Sequence, residues 1–338
     1  MVWIQFVICL AIIIVAGTRL SKYADIIAEK TGMGRVWVGI VLLATVTSLP
    51  EVATGISSVA IVKNPDLAIG DLFGACLINL AIIAVIDALY TKGPVLRLVG
   101  TGIVLTTILS MLLLAAAATS IYLAHSVFNF SLFGLVGISS LALLLLYLVS
   151  QYILFRYKTR QQNIENVTNQ EAQSYAATSL KKTSLYFSVS ALAIAGAGVW
   201  LGVIGNQIAD STGLAASFVG TLFLAVSTTA PEMAVSISAA RLGAIEMAVA
   251  NVVGSNLFNI GVIIFLDDVL WGEGPILEYV SSGHVLSALF ALMIGSVVII
   301  GIIFRPKSWM KSWVGIDTAF IAIFYIAAMI ILFLMGNH

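Results

Sequence analysis

Charged side chains are scarce in this sequence. Asp, Glu, Lys and Arg make up 9% of the 338 residues, whereas apolar residues make up 60%. A soluble domain is about one quarter charged, so this composition excludes a soluble globular protein and indicates an integral membrane protein. Basic and acidic residues are equal in number, at 16 each, so the net charge gives no indication of a nucleic acid or of another anionic partner.

Cysteine and histidine are also rare, with two and three copies. Cys9 and Cys76 both lie in apolar segments, so a disulfide framework is not indicated. Sites for zinc or copper, which prefer imidazole and thiolate ligands, are not favoured. The sequence contains no nucleophile–base pair and no nucleotide-binding loop. We therefore expect neither an enzyme nor a cofactor.

Long apolar runs fill most of the chain. A membrane-spanning helix needs about 20 mostly apolar residues, and ten segments meet this criterion, centred near residues 11, 48, 78, 108, 142, 196, 228, 257, 293 and 325. The first segment lacks a basic start and a small-residue cleavage site, which predicts a retained helix and not a signal peptide. The expected fold is an all-α integral membrane protein with ten transmembrane helices.

The distribution of basic residues predicts the orientation. All Lys and Arg residues except Lys63 fall in alternate connections between the spans. Because such connections are cytoplasmic, both termini are expected on the outer face, extracellular or periplasmic. The polar stretch 156–184 is then a cytoplasmic linker, too short for a regulatory domain. It separates a first half, 1–155, from a second half, 185–338, each with five helices.

The sequence repeats itself with a shift of 181 residues, and some matches are not explained by hydrophobicity. Pro50-Glu51 aligns with Pro231-Glu232. Further matches are Gly17 with Gly198, Gly39 with Gly220, Thr47 with Thr228 and, after a one-residue deletion, Gly74 with Gly254 and Asn79 with Asn259. Because each half has an odd number of spans, the second copy enters the membrane from the opposite side. Such inverted repeats place binding sites near the midplane, on interrupted helices.

A proline interrupts one span in each repeat. Pro50 and Pro231 each remove a helical hydrogen bond and clash with a carbonyl four residues earlier. The backbone oxygens near Ala44 and Ala225 should therefore be exposed. A membrane tolerates such groups only where they are buried in protein or line a cavity.

The polar residues near these breaks form an all-oxygen set. A carboxylate at the bilayer centre costs about 2.5–3.5 kcal/mol, and no Lys or Arg lies as deep as Glu51 and Glu232. The other candidates are Thr47, Ser48, Thr228, Thr229, Asp71, Asn79, Asn251, Ser255 and Asn259. Such oxygens suit hard cations such as Ca²⁺ or Na⁺. The structural alternative is protonated glutamates within the bundle and asparagines that only join helices.

These motifs resemble the paired alpha-repeats of sodium/calcium exchangers, in the calcium/cation antiporter superfamily. The resemblance is carried by Thr47-Ser-Leu-Pro-Glu51 and Thr228-Thr-Ala-Pro-Glu232 and covers roughly residues 17–90 and 198–268. It implies that Glu51 and Glu232 are the central ligands of a divalent cation. It implies further oxygen ligands, for calcium and for flanking sodium ions, from Thr47, Ser48, Thr228, Thr229, Ser255, Asn79 and Asn259.

The first repeat departs from the family pattern at two places. Ala75-Cys76 stands where a serine is usual, so one hydroxyl ligand is missing and one sodium site is in doubt. Asp71 replaces the asparagine seen at Asn251, about 12 Å from Asn79 toward the outer surface. Asp71 is therefore expected in an outer vestibule, with a replacement ligand as the alternative. Asp267, Asp268, Glu273 and Glu278 are expected in a solvated outer loop, and His125, His284 and His338 are expected to be isolated and to have no role.

The sequence predicts a secondary antiporter that exports Ca²⁺ in exchange for Na⁺ by alternating access. Exchange of Ca²⁺ or another cation for protons is the first alternative, and a channel or cation-binding receptor is the second. An anion symporter on a similar plan is opposed by the glutamates at both breaks. The expected partners are metal cations and the lipid bilayer, the chain is expected to act as a monomer, and the resemblance favours a prokaryotic plasma membrane.

Overall fold

The computed structural model of the protein describes residues 2–31, 41, 43–90, 93–126, 131–132, 135–165, 179–241, 243–304 and 315–336. Some predicted features lie outside these residues: Gly39 of the repeat, the basic residues Arg35, Lys92, Arg305, Lys307 and Lys311, the linker centre 166–178, and His338.

The described residues are almost entirely helical. The helices, in chain order, are α1 (Val2–Thr31), α2 (Ala44–Thr47), α3 (Leu49–Ile56), α4 (Pro65–Leu89), α5 (Thr101–Ser126), α6 (Ile138–Glu165), α7 (Leu180–Thr212), α8 (Ala216–Val219), α9 (Ala225–Thr228), α10 (Ala230–Arg241), α11 (Ile245–Phe258), α12 (Ile264–Trp271), α13 (Gly283–Phe304) and α14 (Ile316–Gly336). Wider π-helical turns occupy Ser57–Val62, Gly220–Leu224 and Asn259–Ile263, and 3₁₀ turns occupy Val95–Arg97 and Ile276–Glu278. Two short antiparallel strands, β1 (Ser131–Leu132) and β2 (Val136–Gly137), precede α6.

The ten-span prediction is confirmed. In the described part of the chain nine helical stretches are long and apolar enough to cross a membrane, and the pair Ala216–Thr228 and Ala230–Arg241, bent by 42°, makes the tenth. The ends of the predicted linker are helical, because α6 continues to Glu165 and α7 begins at Leu180. The residues that extend α6 are mostly Lys, Arg, Gln and Glu, which favour helices in water as well.

The third span of each half runs in the opposite direction to its counterpart. α4 begins and α12 ends at the same end of the bundle, where Lys63 lies 5.4 Å from the Trp271 ring and 3.9 Å from Glu273. We call this the Lys63 end. α4 ends and α11 begins at the other end, where Leu89 and Arg241 line one cleft; we call this the Arg241 end. The repeats are therefore inverted, as predicted.

The first helix of each half crosses the proline break of the other half. A Cβ added at Gly17 of α1 would lie 2.6 Å from the Pro231 Cβ, and one at Gly198 of α7 would lie 2.7 Å from the Pro50 carbonyl oxygen. Only glycine permits both approaches. α1 and α7 also pack along each other, so the two halves interleave.

Two equivalent aspartates tie the halves together near the membrane surfaces. Asp87, near the end of α4, accepts hydrogen bonds from the Val95 and Gly315 amides, at 2.6 and 2.9 Å, and from the Thr318 hydroxyl. Asp268, near the end of α12, accepts the equivalent bonds at its own end of the bundle. Its donors are the Ile276 amide at 2.6 Å, the Gly137 amide at 2.8 Å and the Ser140 hydroxyl. Each aspartate thus joins the third span of one half to the fifth span of the other.

Candidate cation site

The backbone is interrupted in the same way in both repeats. Ser48 separates α2 from α3, and Thr229 separates α9 from α10. The Ser48 amide donates to the Ala44 carbonyl at 3.2 Å, and the Thr229 amide donates to the Ala225 carbonyl at 3.0 Å. These two carbonyls were predicted to be bare, and that prediction is wrong. Each also accepts a hydroxyl, Ala44 from Ser255 at 3.5 Å and Ala225 from Thr229, so a cation bound to either carbonyl would have to displace that hydroxyl.

The two central glutamates lie next to these interruptions and are fully buried. Glu232 Oε1 accepts hydrogen bonds from the Ser48 hydroxyl at 3.1 Å and from the Ser255 hydroxyl at 3.3 Å. Its Oε2 and both carboxylate oxygens of Glu51 have no hydrogen-bond partner among the described residues. Buried polar atoms are normally paired. These three carboxylate oxygens are therefore free to bind a group from outside the protein, such as a cation.

Asp71 is also fully buried, so its prediction as a vestibule residue is wrong. Its Oδ1 accepts a hydrogen bond from the Thr228 hydroxyl at 2.8 Å, while its Oδ2 has no partner in the described structure. The sequence position, two turns into α4, suggested a residue near the surface. However, α4 is enclosed by other helices over nearly its whole length. A residue close to the start of this helix is therefore buried, even though it lies near the membrane surface in sequence.

The pairing of Asp71 with Thr228 repeats across the pseudo-symmetry. Thr47, the counterpart of Thr228, is 3.4 Å from Oδ1 of Asn251, the counterpart of Asp71. Asp71 therefore occupies a position that the second repeat fills with a neutral amide. The exchange adds a negative charge without changing the neighbouring hydroxyl.

Two predicted ligands, Thr229 and Asn259, make no hydrogen bond to a central carboxylate within the described residues. The Thr229 hydroxyl hydrogen-bonds the Ala225 carbonyl of its own helix, whereas its counterpart Ser48 reaches Glu232. Asn259 is buried, and neither polar atom of its side chain has a partner within the described residues. The structure thus brings Ser48, but not Thr229, into contact with a central carboxylate.

A further amide lies beside the predicted residues and was missed. Asn256 accepts a hydrogen bond from Asn79 at 3.0 Å and donates one to the Cys76 carbonyl at 3.2 Å. Asn256 thereby joins α11 to α4 at the centre of the bundle, and Asn79 Oδ1 has no hydrogen-bond partner among the described residues. The repeat gave no signal for it, because its counterpart is Cys76.

The electrostatic environment of the centre is acidic. Glu232 and Asp71 are the two charged groups that act on Glu51, and both carry the same sign. In the described part of the chain no three His, Cys, Asp or Glu side chains converge closely enough to hold a metal alone. A cation here would therefore need the nearby hydroxyl, amide and carbonyl oxygens as ligands, which is the coordination that hard cations prefer.

Two peripheral predictions are wrong. Asp267 and Asp268 lie on α12 and are buried, not in a solvated loop. His284 is not isolated, because its Nε2 lies 2.9 Å from Asp66 Oδ1 at the Lys63 end. Glu273 is exposed as predicted, with 58% of its side chain accessible.

The family model for the sodium/calcium exchanger protein matches residues 1–156 and 182–336. Inner membrane protein YrbG of Escherichia coli K12 is 25% identical over 291 residues, which span 85% of this chain and 86% of that protein. The sodium/calcium exchanger MaX1 of Methanosarcina acetivorans is 34% identical over 128 residues, 37% of this chain and 33% of that protein.

Solved structures share the whole fold. A structure of the sodium-calcium exchanger NCX_Mj, soaked with Na⁺ and Sr²⁺, matches with a TM-score of 0.66 at 18% identity, over 98% of this chain and 99% of that one. A structure of the same exchanger soaked with Na⁺ and Ca²⁺ also gives a TM-score of 0.66, at 16% identity. The family model covers both halves of the chain, and the chain therefore belongs to the sodium/calcium exchanger family, whose members are cation antiporters.

Proposed function

We propose that the protein exports Ca²⁺ in exchange for Na⁺ through one central site at Glu51 and Glu232. The observation that carries this proposal is the set of unpartnered oxygens: both of Glu51 and one of Glu232 are fully buried without a donor among the residues that the structure describes. Burying unpaired carboxylates is costly, so their retention in both repeats calls for a cation that neutralises them.

The charge of the site explains why exchange would be obligatory. With both glutamates ionised, an empty site carries two negative charges that resist enclosure in a medium of low dielectric constant. One Ca²⁺ neutralises them, and so do two Na⁺. The site can therefore change its orientation when loaded with either cargo, and not when empty.

We assign the roles of the surrounding residues by their contacts. Ser48 and Ser255 lie on the Glu232 side and would share a cation with it. Thr47, Thr228, Asn79 and the Ala44 and Ala225 carbonyls would complete the oxygen shell, with Thr229 and Asn259 reached after side-chain rotation. Asp71 would be a third carboxylate beside the site, held next to it by the hydrogen bond from the Thr228 hydroxyl.

The interleaved halves support alternating access. α1 and α7 cross the two proline breaks at glycine contacts, so movement of this pair relative to the rest would uncover the site from one end and then from the other. The positive-inside pattern places the Lys63 end outside and both termini on the same outer face, in a prokaryotic plasma membrane.

Exchange of Ca²⁺ for protons is the second candidate, and one observation favours it. Ala75 replaces the counterpart of Ser255, so Glu51 lacks the serine donor that Glu232 has. A carboxylate with few donors and no cation is readily neutralised by a proton, because burial disfavours its charged form.

The test is uptake of radiolabelled Ca²⁺ into proteoliposomes, driven by an outward Na⁺ gradient or separately by an outward H⁺ gradient. Uptake with the Na⁺ gradient alone supports the proposal. Uptake with the H⁺ gradient alone replaces Na⁺ by protons and shows that the glutamates titrate during the cycle. Flux that needs no counter-ion gradient would identify a channel instead.

A further inference from the structure

Asp267 is a buried carboxylate to which the proposed exchange assigns no role. It lies on α12, one helical turn before Trp271 at the Lys63 end, and it is fully buried. Neither of its oxygens has a hydrogen-bond partner among the described residues. Its neighbour Asp268 is different, because its carboxylate accepts hydrogen bonds from the Ile276 and Gly137 amides and the Ser140 hydroxyl. A buried carboxylate without a partner is costly, so Asp267 needs a separate explanation.

The π-helical turns show which residue is equivalent to Asp267. Each turn of this kind accommodates one extra residue in a helix. Asn259–Ile263 is π-helical, whereas the corresponding part of α4 is regular α-helix. The repeat shift therefore returns to 181 residues after this turn, which pairs Asp268 with Asp87 and Asp267 with Ile86. The hydrogen bonds of Asp87 and Asp268 agree with this register, since each binds the amide eight residues further on.

A second pair of positions differs at the same place. In the second repeat the Asn251 amide donates to the Ser236 hydroxyl at 3.1 Å. The counterpart of Ser236 is Gly55, one turn after Glu51. A Cβ at Gly55 would lie 2.6 Å from Asp267 Oδ1 and 2.7 Å from its Oδ2. The carboxylate of Asp267 therefore occupies the space that a side chain at Gly55 would take.

Three matched differences thus concentrate acid on one side of the centre. Asn251 and Ser236 of the second repeat form a neutral group with Ile86 of the first, and in the equivalent group Asp71 and Gly55 of the first repeat are joined by Asp267 of the second. The Asn251–Ser236 contact of the other repeat implies by pseudo-symmetry that Asp71 lies beside Gly55, whose Cβ position is occupied by the Asp267 carboxylate. α12 packs against α3, α4, α6 and the turn Ser57–Val62. At this end those elements contribute, besides Asp71, two charged side chains: Asp66 at the start of α4, bonded to His284, and Lys63 after that turn, paired with Glu273.

We propose that Asp71 and Asp267 hold a second hard cation, on the Lys63 side of the central site. Three carboxylate oxygens there have no hydrogen-bond partner in the described part of the chain: Asp71 Oδ2 and both oxygens of Asp267. Two hard divalent cations would balance the four carboxylates Glu51, Glu232, Asp71 and Asp267. At the Arg241 end Ile86 takes the place of Asp267, so the described residues form no equivalent site there. The proposal rests on the proposed function only for the class of its ligand, a hard cation.

Binding to purified protein tests the second site independently of transport. In a Glu51→Gln, Glu232→Gln background the central site is disabled, and equilibrium binding of ⁴⁵Ca²⁺ and, in a second arm, ²²Na⁺ is measured in detergent. We expect one remaining cation per protein, and adding Asp267→Asn should weaken its binding by about tenfold or more. Glu273→Gln, which removes an exposed charge at the same end, is the matched control and should leave this binding unchanged.

Each outcome decides the proposal. If the Glu51→Gln, Glu232→Gln protein still binds Ca²⁺ or Na⁺ and Asp267→Asn weakens that binding, the proposal is supported. The ion that binds is then the cation of the second site. The absence of remaining binding for both ions, or binding that ignores Asp267→Asn, overturns it. If the wild-type protein transported no Ca²⁺ with either gradient, the central proposal would fail while this binding test stayed valid.

A second variant guards against a general loss of structure. Gly55→Ser copies Ser236 of the other repeat and places a side chain against the Asp267 carboxylate. It should weaken the remaining binding as Asp267→Asn does, while gel-filtration profiles of both variants stay monodisperse. Ser236→Gly, the reverse change in the other repeat, should leave the binding as it is.

Discussion

The two central glutamates occupy equivalent positions but have different surroundings. Glu232 accepts hydrogen bonds from two serine hydroxyls, whereas Glu51 accepts none in the described structure. Glu51 lacks both donors for two reasons: Ala75 stands where a serine would donate, and the Thr229 hydroxyl binds the Ala225 carbonyl of its own helix instead. In exchange, Glu51 has a second carboxylate, Asp71, as a neighbour. A duplicated site has therefore become one side rich in hydroxyls and one side rich in charge.

Removing either central charge should have the largest effect. Glu51→Gln and Glu232→Gln should each reduce Ca²⁺ flux in proteoliposomes by at least about a hundredfold, because a buried cation would lose a charged ligand. Yield and gel-filtration profile should stay normal, since glutamine has the same shape. Exposed Glu273→Gln is the control. Wild-type flux in either glutamine variant would contradict the central site.

Changing Asp71 removes the charge that distinguishes the two sides. Asp71→Asn copies Asn251 and keeps an oxygen for the Thr228 hydroxyl. We expect the apparent Ca²⁺ affinity to fall by about tenfold, with the protein folded as before. Asn251→Asp is the mirror variant and should not weaken Ca²⁺ binding. An unchanged Ca²⁺ affinity in Asp71→Asn would show that Asp71 lies beside the cation without binding it.

Exchanging one hydroxyl tests the other side of the comparison. Ser255→Ala removes a donor to Glu232, and Ala75→Ser adds its counterpart near Glu51. The first should raise the Na⁺ concentration needed for half-maximal Ca²⁺ flux by a few-fold, and the second should lower it, since hard monovalent cations bind hydroxyl oxygens. If both variants shifted the proton dependence and not the Na⁺ dependence, the Ca²⁺/H⁺ alternative would gain.

The smallest effect concerns stability and separates three aspartates. Asp87→Asn and Asp268→Asn should each cost about 1–3 kcal/mol, because a charged acceptor of buried amides is lost. Asp267→Asn should not lower the thermal unfolding temperature, since Asp267 accepts no hydrogen bond in the described residues. Thermal unfolding in detergent measures all three. A large loss with Asp267→Asn would indicate a structural partner for it.

Much of the fold could be predicted from the sequence because its signals are local. Apolar length predicts the spans, and paired proline and glutamate residues predict the breaks at Ser48 and Thr229. The hydrogen bonds could not be predicted, because rotation about one bond decides whether a hydroxyl meets its own backbone, as at Thr229, or a carboxylate, as at Ser48. The burial of Asp71 was missed because it depends on which helices surround α4.

The register of the repeat was a separate difficulty. Continuing the shift of 180 residues that follows the one-residue deletion aligns Asp87 with Asp267, and only the π-helical turn at Asn259–Ile263 shows that Asp268 is the true counterpart. Such a turn inserts one residue without breaking the helix, so the apolar pattern continues and conceals the change. The asymmetry at Asp267 becomes visible only after this correction.

The interleaving of the halves has a consequence for biogenesis. Gly17 packs on Pro231, and Asp87 binds Gly315 and Thr318, so the first half finds its partners only when the second has been synthesised. Until then Glu51 and Asp71 are in the bilayer without the residues that enclose them. The nascent first half should therefore depend on the insertion machinery for shelter and be vulnerable to quality-control proteolysis. Expressed as two polypeptides divided between residues 166 and 178, the halves should be degraded when made singly and protected when made together.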